Sequence, residues 1–160
     1  MKHAAKTNLL FIMGELAKHL LLAEDDQDDV VIFELAIKEV NKEYKIPVYM
    51  RHAKDGEVLF ILLKESIPDI LFLDINLPCK DGLSCIREIR KNKRYDGLPV
   101  IMYTAHKHEN KIEEAFRNGA NYYVVKSNTV PELAEKLKKI CSMDWKNYLH
   151  YPPRDQFVMH

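Results

Sequence analysis

Short apolar segments alternate with helical patterns along most of this chain, and this alternation is the feature that most constrains its fold. Each apolar segment is followed by a stretch whose apolar residues recur every three or four positions, as in an amphipathic helix. Alternating strands and helices form parallel sheets with right-handed crossovers. The sequence therefore predicts an α/β fold with a five-stranded parallel sheet and five helices. The predicted strands cover residues 19–23, 48–51, 70–73, 100–103 and 122–125.

The predicted helices are indicated by apolar periodicity and by local start signals. Residues 57–64 would place apolar side chains on nearly every face of a helix, so we expect this helix to be buried. Thr129 and Glu132 have the spacing of a capping box, which predicts where the last helix begins. The predicted helices cover 28–41 and 57–64, follow Asp81-Gly82, include Ile112, Ala115 and Phe116, and begin at Thr129.

Composition and glycine spacing exclude several functions. The 160 residues suit one domain, and Lys+Arg and Asp+Glu both number 24, whereas a general nucleic-acid binder carries a basic excess. No apolar run approaches the roughly 20 residues that cross a bilayer. No two glycines lie close enough for a dinucleotide fingerprint, a P-loop or a nucleophile elbow. The three cysteines form no CxxC pair, which indicates reduced thiols and a cytoplasmic location.

Polar or charged side chains follow four of the five predicted strands. Glu24 and Asp25 come after the first strand, Asp74 after the third, Thr104 after the fourth and Lys126 after the fifth. Because ligands of open parallel sheets bind beyond the carboxyl ends of the strands, we expect these side chains to lie together. Crowded carboxylates repel each other, and Mg²⁺ relieves the repulsion by taking oxygen ligands. The set predicts a pocket for a phosphoryl group, in which positioning and charge neutralisation dominate.

Each of these residues taken alone has a simpler structural explanation. A carboxylate after a strand is often a helix N-cap, and we expect Asp28 or Asp29 to cap the first helix. A single lysine is usually a surface charge, and a single threonine is usually a strand residue. Their combination at the edge where this fold binds ligands favours a functional site.

Four segments of the chain resemble the receiver domain of bacterial two-component response regulators. They read LLLAEDD, LFLDINLPCKDG, VIMYTA and YYVVK. The resemblance covers residues 18–143 and implies a flavodoxin-like, doubly wound fold. It also implies a signalling domain rather than an enzyme, with only self-phosphorylation and slow self-dephosphorylation as its own activities.

The resemblance implies which residues hold the metal and accept the phosphoryl group. Asp74 would be the phospho-acceptor and, with Asp25, a carboxylate ligand of Mg²⁺. The backbone carbonyl of Asn76 would be a third ligand, and Glu24 would act mainly through water. The loop containing Pro78 and Asp81-Gly82 would shape the rim of the site.

The remaining roles concern the bound phosphoryl group and the switch. Thr104 would donate a hydrogen bond to it and Lys126 would pair with it, so that Asp74, Thr104 and Lys126 form the catalytic set. Tyr123 would change rotamer as Thr104 moves. Asn76 and His106 occupy positions that would tune how quickly the phosphoryl group is lost to water.

Two departures from the family pattern stand out. The family usually has Lys-Pro with a cis bond after the fifth strand, whereas this chain has Lys126-Ser127. A cis bond before a non-proline residue costs about 3–4 kcal/mol, so the bond is either strained or trans, with a different approach of Lys126. The other departure is Glu24-Asp25 in place of two aspartates.

The resemblance implies a stand-alone receiver that acts by protein contact. It would receive phosphate from a sensor histidine kinase or a histidine phosphotransfer protein, and signal to a downstream protein through the fourth helix, fifth strand and fifth helix. The chain is also similar to stand-alone receivers paired with bacterial phytochromes, which implies a homodimer through that face. We expect neither nucleic acid nor membrane as a partner.

Three other functions remain open. A pseudo-receiver would have the same fold without phosphorylation and act as a scaffold. The missing proline favours this function, and the intact set of Asp25, Asp74, Thr104 and Lys126 opposes it. A phosphatase of the haloacid-dehalogenase type needs a second aspartate where this chain has Asn76, and a cap domain. A flavodoxin-like nucleotide-binding protein is disfavoured, because the glycine spacing provides no phosphate loop.

We divide the chain into an N-terminal extension over 1–17, a receiver domain over 18–143 and a C-terminal tail over 144–160. The extension has too short an apolar stretch for a signal peptide, so we interpret it as an extra helix or as added residues. The tail has no periodicity, and we expect it to be loosely docked or disordered. A contact of its aromatic residues Trp145, Tyr148 and Tyr151 with a partner or a second copy is the alternative.

Overall fold

The core of the fold is a parallel sheet. A computed structural model describes residues 17–147 and 151–160 of the chain. Within these residues the sheet has six strands in the order β2-β1-β3-β4-β5-β6, and all neighbouring pairs are parallel. The strands are β1 Lys18–Ala23, β2 Val48–Ala53, β3 Ile70–Leu73, β4 Val100–Thr104, β5 Tyr122–Val125 and β6 Val158–Met159.

Five α-helices in the described part of the chain cover the two faces of this sheet. Leu20 and Leu22 of β1 pack with α1 and α5, whereas Leu21 and Ala23 belong to the opposite core beneath α2, α3 and α4. Because both faces are covered, the central strands are apolar throughout instead of alternating. The helices are α1 Gln27–Glu43, α2 Gly56–Glu65, α3 Gly82–Lys91, α4 Glu109–Arg117 and α5 Val130–Cys141, with short 3₁₀ turns at Lys93–Tyr95 and Arg154–Gln156.

The predicted α/β fold with a parallel sheet and five helices is confirmed, but the strand count is wrong by one. The sixth strand belongs to the C-terminal tail, so the expectation that the tail over 144–160 is loosely docked or disordered is wrong for residues 151–160. Val158 pairs with Tyr123 of β5, and the Phe157 side chain is completely buried. A strand of two residues is too short to produce an alternating pattern, and the buried Phe157 that precedes it is a single aromatic residue without periodicity.

The aromatic residues of the tail have different surroundings. The Trp145 indole is buried, and its Nε1–H donates a hydrogen bond to the carbonyl of Ile140 at 2.8 Å. The Tyr151 side chain remains exposed. Tyr148 lies outside the described residues, as does nearly all of the predicted N-terminal extension.

Three local predictions differ from the structure. Asp26, and neither Asp28 nor Asp29, caps α1, because its side chain accepts hydrogen bonds from two backbone N–H groups of the first turn. Thr129 stands at the N-cap of α5 without a side-chain capping bond. The predicted buried helix is only half-buried, with 56% of Ile61 exposed, because α2 packs on the sheet along one face.

Within the described residues, no helix combines the length and apolar character needed to cross a bilayer.

Candidate functional site

The carboxyl ends of β1, β3, β4 and β5 lie together at one edge of the sheet, as the sequence predicts. They border an open cavity of about 680 Å³ whose lining is mainly polar. We call this cavity the acidic cleft. Six residues singled out from the sequence line it: Glu24, Asp25, Asp74, Asn76, Thr104 and Lys126.

The Lys126 ammonium lies among three carboxylates. Its Nζ is 2.5 Å from Glu24 Oε2, 2.8 Å from Asp29 Oδ2 and 3.0 Å from Asp74 Oδ2. Burial alone would lower the pKa of Lys126, but hydrogen bonds to Asp29 and Glu24 and the charge of Asp74 outweigh it and raise that pKa. Lys126 therefore carries a fixed positive charge in the cleft. No peptide bond in the described residues is cis, so the Lys126-Ser127 bond is trans, and the ammonium reaches Asp74 in that geometry.

Glu24 is the most deeply placed carboxylate of the cleft, and its side chain has no exposed surface. One of its oxygens accepts a hydrogen bond from the Asp26 N–H at 3.0 Å, while the other contacts Lys126. Burial raises the pKa of Glu24 to about 7, against the lowering effect of these hydrogen bonds. The cleft thus holds a carboxylate that is poorly stabilised in its charged form.

The carboxylates of the cleft fit a divalent cation. Ligand oxygens of Glu24, Asp25 and Asp74 lie within 4.8 Å of one another, with Asp25 exposed and the other two buried. Six carboxylate residues and one lysine line the cleft. Mg²⁺ and similar divalent ions are coordinated by oxygen ligands, and their positive charge would offset the excess negative charge of the cleft.

The loop after β3 wraps closely around Asp74. The Asp74 Oδ1 atom faces the Asn76 N–H at 3.4 Å, and the Gly82 N–H donates to the Ile75 carbonyl at 2.8 Å. A Cβ atom on Gly82 would lie 2.0 Å from the Asp74 carbonyl oxygen. Asp81 caps α3 through the Ser84 N–H at 3.0 Å. Glycine is therefore required where the helix start approaches Asp74.

Thr104, His106 and Tyr123 form a chain of contacts that leads away from the cleft. The His106 N–H faces Thr104 Oγ1 at 3.4 Å, and the Tyr123 hydroxyl donates to the His106 carbonyl at 2.9 Å. Tyr123 is completely buried. The predicted switch and tuning residues Tyr123 and His106 thus lie behind the cleft and do not line it.

Asp28 and Asp29, which the sequence predicts as alternative caps of the first helix, both line the cleft. Asp29 lies in the first turn of α1 and contacts Lys126. Its position directly after the acidic strand end was a signal, since the first turn of a helix that follows a strand lies at the same edge of the sheet.

Fold and cleft together define a doubly wound α/β domain with an acidic site at the carboxyl ends of its strands. A profile of the response regulator receiver domain matches residues 20–138. The chain belongs to this family.

The sequence relatives of this chain differ in how much of their own length the chain matches. The chain is 39% identical over 88 residues to the chemotaxis protein CheY of Pseudomonas aeruginosa, covering 55% of this chain and 71% of that protein. It is 33% identical over 124 residues to the probable C4-dicarboxylate response regulator DctR of Bacillus subtilis, covering 75% of this chain and 50% of that protein.

Solved structures of receivers superpose well on this fold. A putative response regulator from Chloroflexus aurantiacus has 27% identity and a TM-score of 0.68, covering 79% of this chain and 99% of its own. The phosphorylated cyanobacterial phytochrome response regulator RcpA has 25% identity and a TM-score of 0.71, covering 83% and 97%. The Mn²⁺-bound response regulator Rcp1 has 26% identity and a TM-score of 0.67, covering 85% and 99%.

Proposed function

We propose that this protein is a single-domain response regulator that accepts a phosphoryl group on Asp74. The donor is the phosphohistidine of a sensor kinase or of a histidine phosphotransfer protein, and the output is contact with a downstream protein. The observation that carries this proposal is the position of the Asp74 carboxylate, 3.0 Å from the Lys126 ammonium and beside Glu24 and Asp25.

The chemistry is the transfer of one phosphoryl group. A carboxylate oxygen of Asp74 forms a bond to phosphorus while the bond from phosphorus to the donor nitrogen breaks, and the released imidazole takes up a proton. A carboxylate is itself the nucleophile, so no general base is required. Lys126 then pairs with a phosphoryl oxygen, and the Thr104 hydroxyl donates a hydrogen bond to another.

We propose that the cleft binds Mg²⁺ through Asp25, Asp74 and the Asn76 carbonyl, with Glu24 acting through water. When bound, the ion neutralises the charge that the phosphoryl group brings into the acidic cleft. The oxygen spacing of the three carboxylates and the Mn²⁺-bound relative Rcp1 support this assignment.

The proposal includes a switch. The Thr104 hydroxyl oxygen faces the His106 N–H in the loop after β4, and the Tyr123 hydroxyl donates a hydrogen bond to the His106 carbonyl in the same loop. Movement of Thr104 toward a phosphoryl group would shift an equilibrium between two arrangements of this loop and of Tyr123. Asn76 and His106, two positions after Asp74 and Thr104 respectively, would tune the lifetime of the phosphoryl group.

The expected output surface is formed by α4, β5 and α5, and a homodimer would use the same surface.

The free thiols of Cys79, Cys85 and Cys141 support a cytoplasmic location.

The test is the intact mass of the full chain after incubation with acetyl phosphate and Mg²⁺. We expect one added phosphoryl group on the wild type, and none on Asp74→Asn or in the presence of EDTA. Asp96→Asn is the matched control, because Asp96 is an exposed carboxylate in the turn that precedes β4, at the other end of the strands, and it should be phosphorylated like the wild type. A folded wild type without an adduct would favour the scaffold function instead.

A further inference from the structure

The residue after Lys126 is a serine, where the family usually has a proline. A proline ring fixes its own backbone angle φ, whereas a serine leaves the backbone free unless its side chain is held. Ser127 is buried, with 8% of its surface exposed. The placement of Lys126 therefore depends on the contacts that this buried serine makes.

Lys136 of α5 holds the Ser127 hydroxyl. Its Nζ donates hydrogen bonds to Ser127 Oγ at 3.2 Å and to Glu132 Oε1, also at 3.2 Å. Only 11% of the Lys136 side chain is exposed, against 54% for Glu132. Hydrogen bonds from Lys136 and from the Ser127 hydroxyl lower the pKa of Glu132, which therefore stays charged. A largely buried ammonium of α5 is thus directed at Ser127 rather than at solvent.

The backbone of Lys126 is consequently anchored on both sides. Its N–H donates a hydrogen bond to the Thr104 carbonyl of β4 at 2.9 Å, and the next residue is tied to α5 through Lys136. Together these anchors set the direction in which the Lys126 side chain leaves the backbone. The flexible stem of the lysine then brings the ammonium to 3.0 Å from Asp74 Oδ2.

We infer that Ser127 and Lys136 are positioning residues for Lys126, because their contact fixes the trans Lys126-Ser127 segment from α5 in place of a proline ring. A chain that loses this contact keeps its fold but releases Lys126 more often from the carboxylates of the cleft. The role of the contact in phosphoryl transfer rests on the proposed function, whereas the placement of Lys126 does not.

Acylation of Lys126 in the unphosphorylated full chain measures how often its amine leaves the cleft. The Lys126 side chain is 12% exposed and paired with carboxylates, so acetic anhydride reacts with the amine in its released state. Ser127→Ala should make acylation at position 126, located by peptide mapping, roughly fivefold faster, the effect of losing one ordinary hydrogen bond. Ser142→Ala is the matched control, because its hydroxyl donates to the Lys138 carbonyl at the C-terminal end of α5. Equal acylation rates in the two variants would overturn the inference.

Lys136→Met breaks the same contact from the other side and should accelerate the acylation of Lys126 by a similar factor. Because Ser127→Ala and Lys136→Met remove one contact, their combination should add nothing to either change. Lys139→Met removes an exposed charge from the same helix and should leave the acylation rate unchanged. Effects that multiply in the double variant, or an equal effect of Lys139→Met, would overturn the inference. If Ser127→Ala does not fold, the comparison of Lys136→Met with Lys139→Met decides alone.

The role in transfer is tested by the rate at which acetyl phosphate and Mg²⁺ add a phosphoryl group, followed by intact mass. We expect Ser127→Ala to react at least about threefold more slowly than Ser142→Ala, because small displacements of a positioned charge slow the transfer. Equal rates in variants that both acquire the adduct would overturn the positioning role. Absence of any adduct on the wild type would instead refute the proposed function, and the acylation rates would then decide the placement of Lys126 alone.

Discussion

At the scale of single residues, the position of Asp74 depends on how closely the chain folds around it. Gly82 approaches the Asp74 backbone so closely that any side chain would collide with a carbonyl oxygen, which cannot move away like the end of a flexible side chain. The Asp74 backbone and the start of α3 are therefore packed against each other without room for a side chain at position 82.

Gly82→Ala should destabilise the fold by about 1–3 kcal/mol, the usual effect of forcing extra volume into a packed site. The measurement is urea denaturation of the metal-free chain. Gly97→Ala is the matched control, because a Cβ there meets no atom within 4 Å. Equal unfolding midpoints for the two variants would contradict the close approach.

Asp25 is the exposed member of the three carboxylates that could hold a cation. Asp25→Asn should raise the Mg²⁺ concentration needed for half-maximal binding at least about tenfold, because a ligand is lost. Titration calorimetry measures this change. Asp28→Asn, at another acidic residue that lines the cleft but lies outside the 4.8 Å group, should bind Mg²⁺ like the wild type; a similar loss in both variants would indicate general charge rather than coordination.

The sequence could predict which residues line the cleft better than it could predict their contacts. Strand ends of a parallel sheet necessarily share one edge, so Asp74, Thr104 and Lys126 could be placed together. The contact of Asp29 with Lys126 depends on how α1 is rotated against the sheet, and spacing along the chain does not determine that rotation. The functional roles of these residues stay predictions.

At the scale of secondary-structure elements, the two helices α1 and α5 begin in different ways. The Asp26 side chain accepts hydrogen bonds from two N–H groups at the start of α1. Thr129 has the expected position before α5, but Glu132 bonds with Lys136 at 3.2 Å, and no capping bond forms. A capping box in the sequence thus predicted the boundary and not the bond.

Asp26→Ala should lower the free energy of unfolding by about 1 kcal/mol, as is usual when an N-cap is lost. Thr129→Ala is the paired variant, and its free energy of unfolding should remain close to that of the wild type because no capping bond is removed. Both values come from urea denaturation. A larger loss for Thr129→Ala than for Asp26→Ala would show that the capping assignment is reversed.

At the scale of the whole molecule, the domain extends beyond the five strands that periodicity predicts. Five apolar strands and their helices were recognisable because each is long enough to show a pattern. The sixth strand could not be recognised, because two residues carry no period and its docking depends on Phe157 meeting Phe116 and Tyr123, which are distant in sequence. The proposed domain boundary at residue 143 stays a prediction.

Phe157→Ala should destabilise the protein by roughly 3 kcal/mol, because a fully buried aromatic side chain is removed from a packed site. Tyr151→Ala changes an exposed aromatic residue of the same segment and should have little effect. Thermal and urea denaturation compare the two. If Phe157→Ala unfolds like the wild type, the segment is not part of the cooperative domain.

The central claim is that Asp74 accepts the phosphoryl group, and borohydride trapping tests it most directly. Borohydride reduces an aspartyl phosphate to homoserine, which peptide mapping by mass spectrometry then locates. After treatment with acetyl phosphate and Mg²⁺, we predict homoserine at position 74 and unmodified carboxylates at positions 25 and 29. Homoserine at either of those positions, or at none in a chain that binds Mg²⁺, would contradict the account.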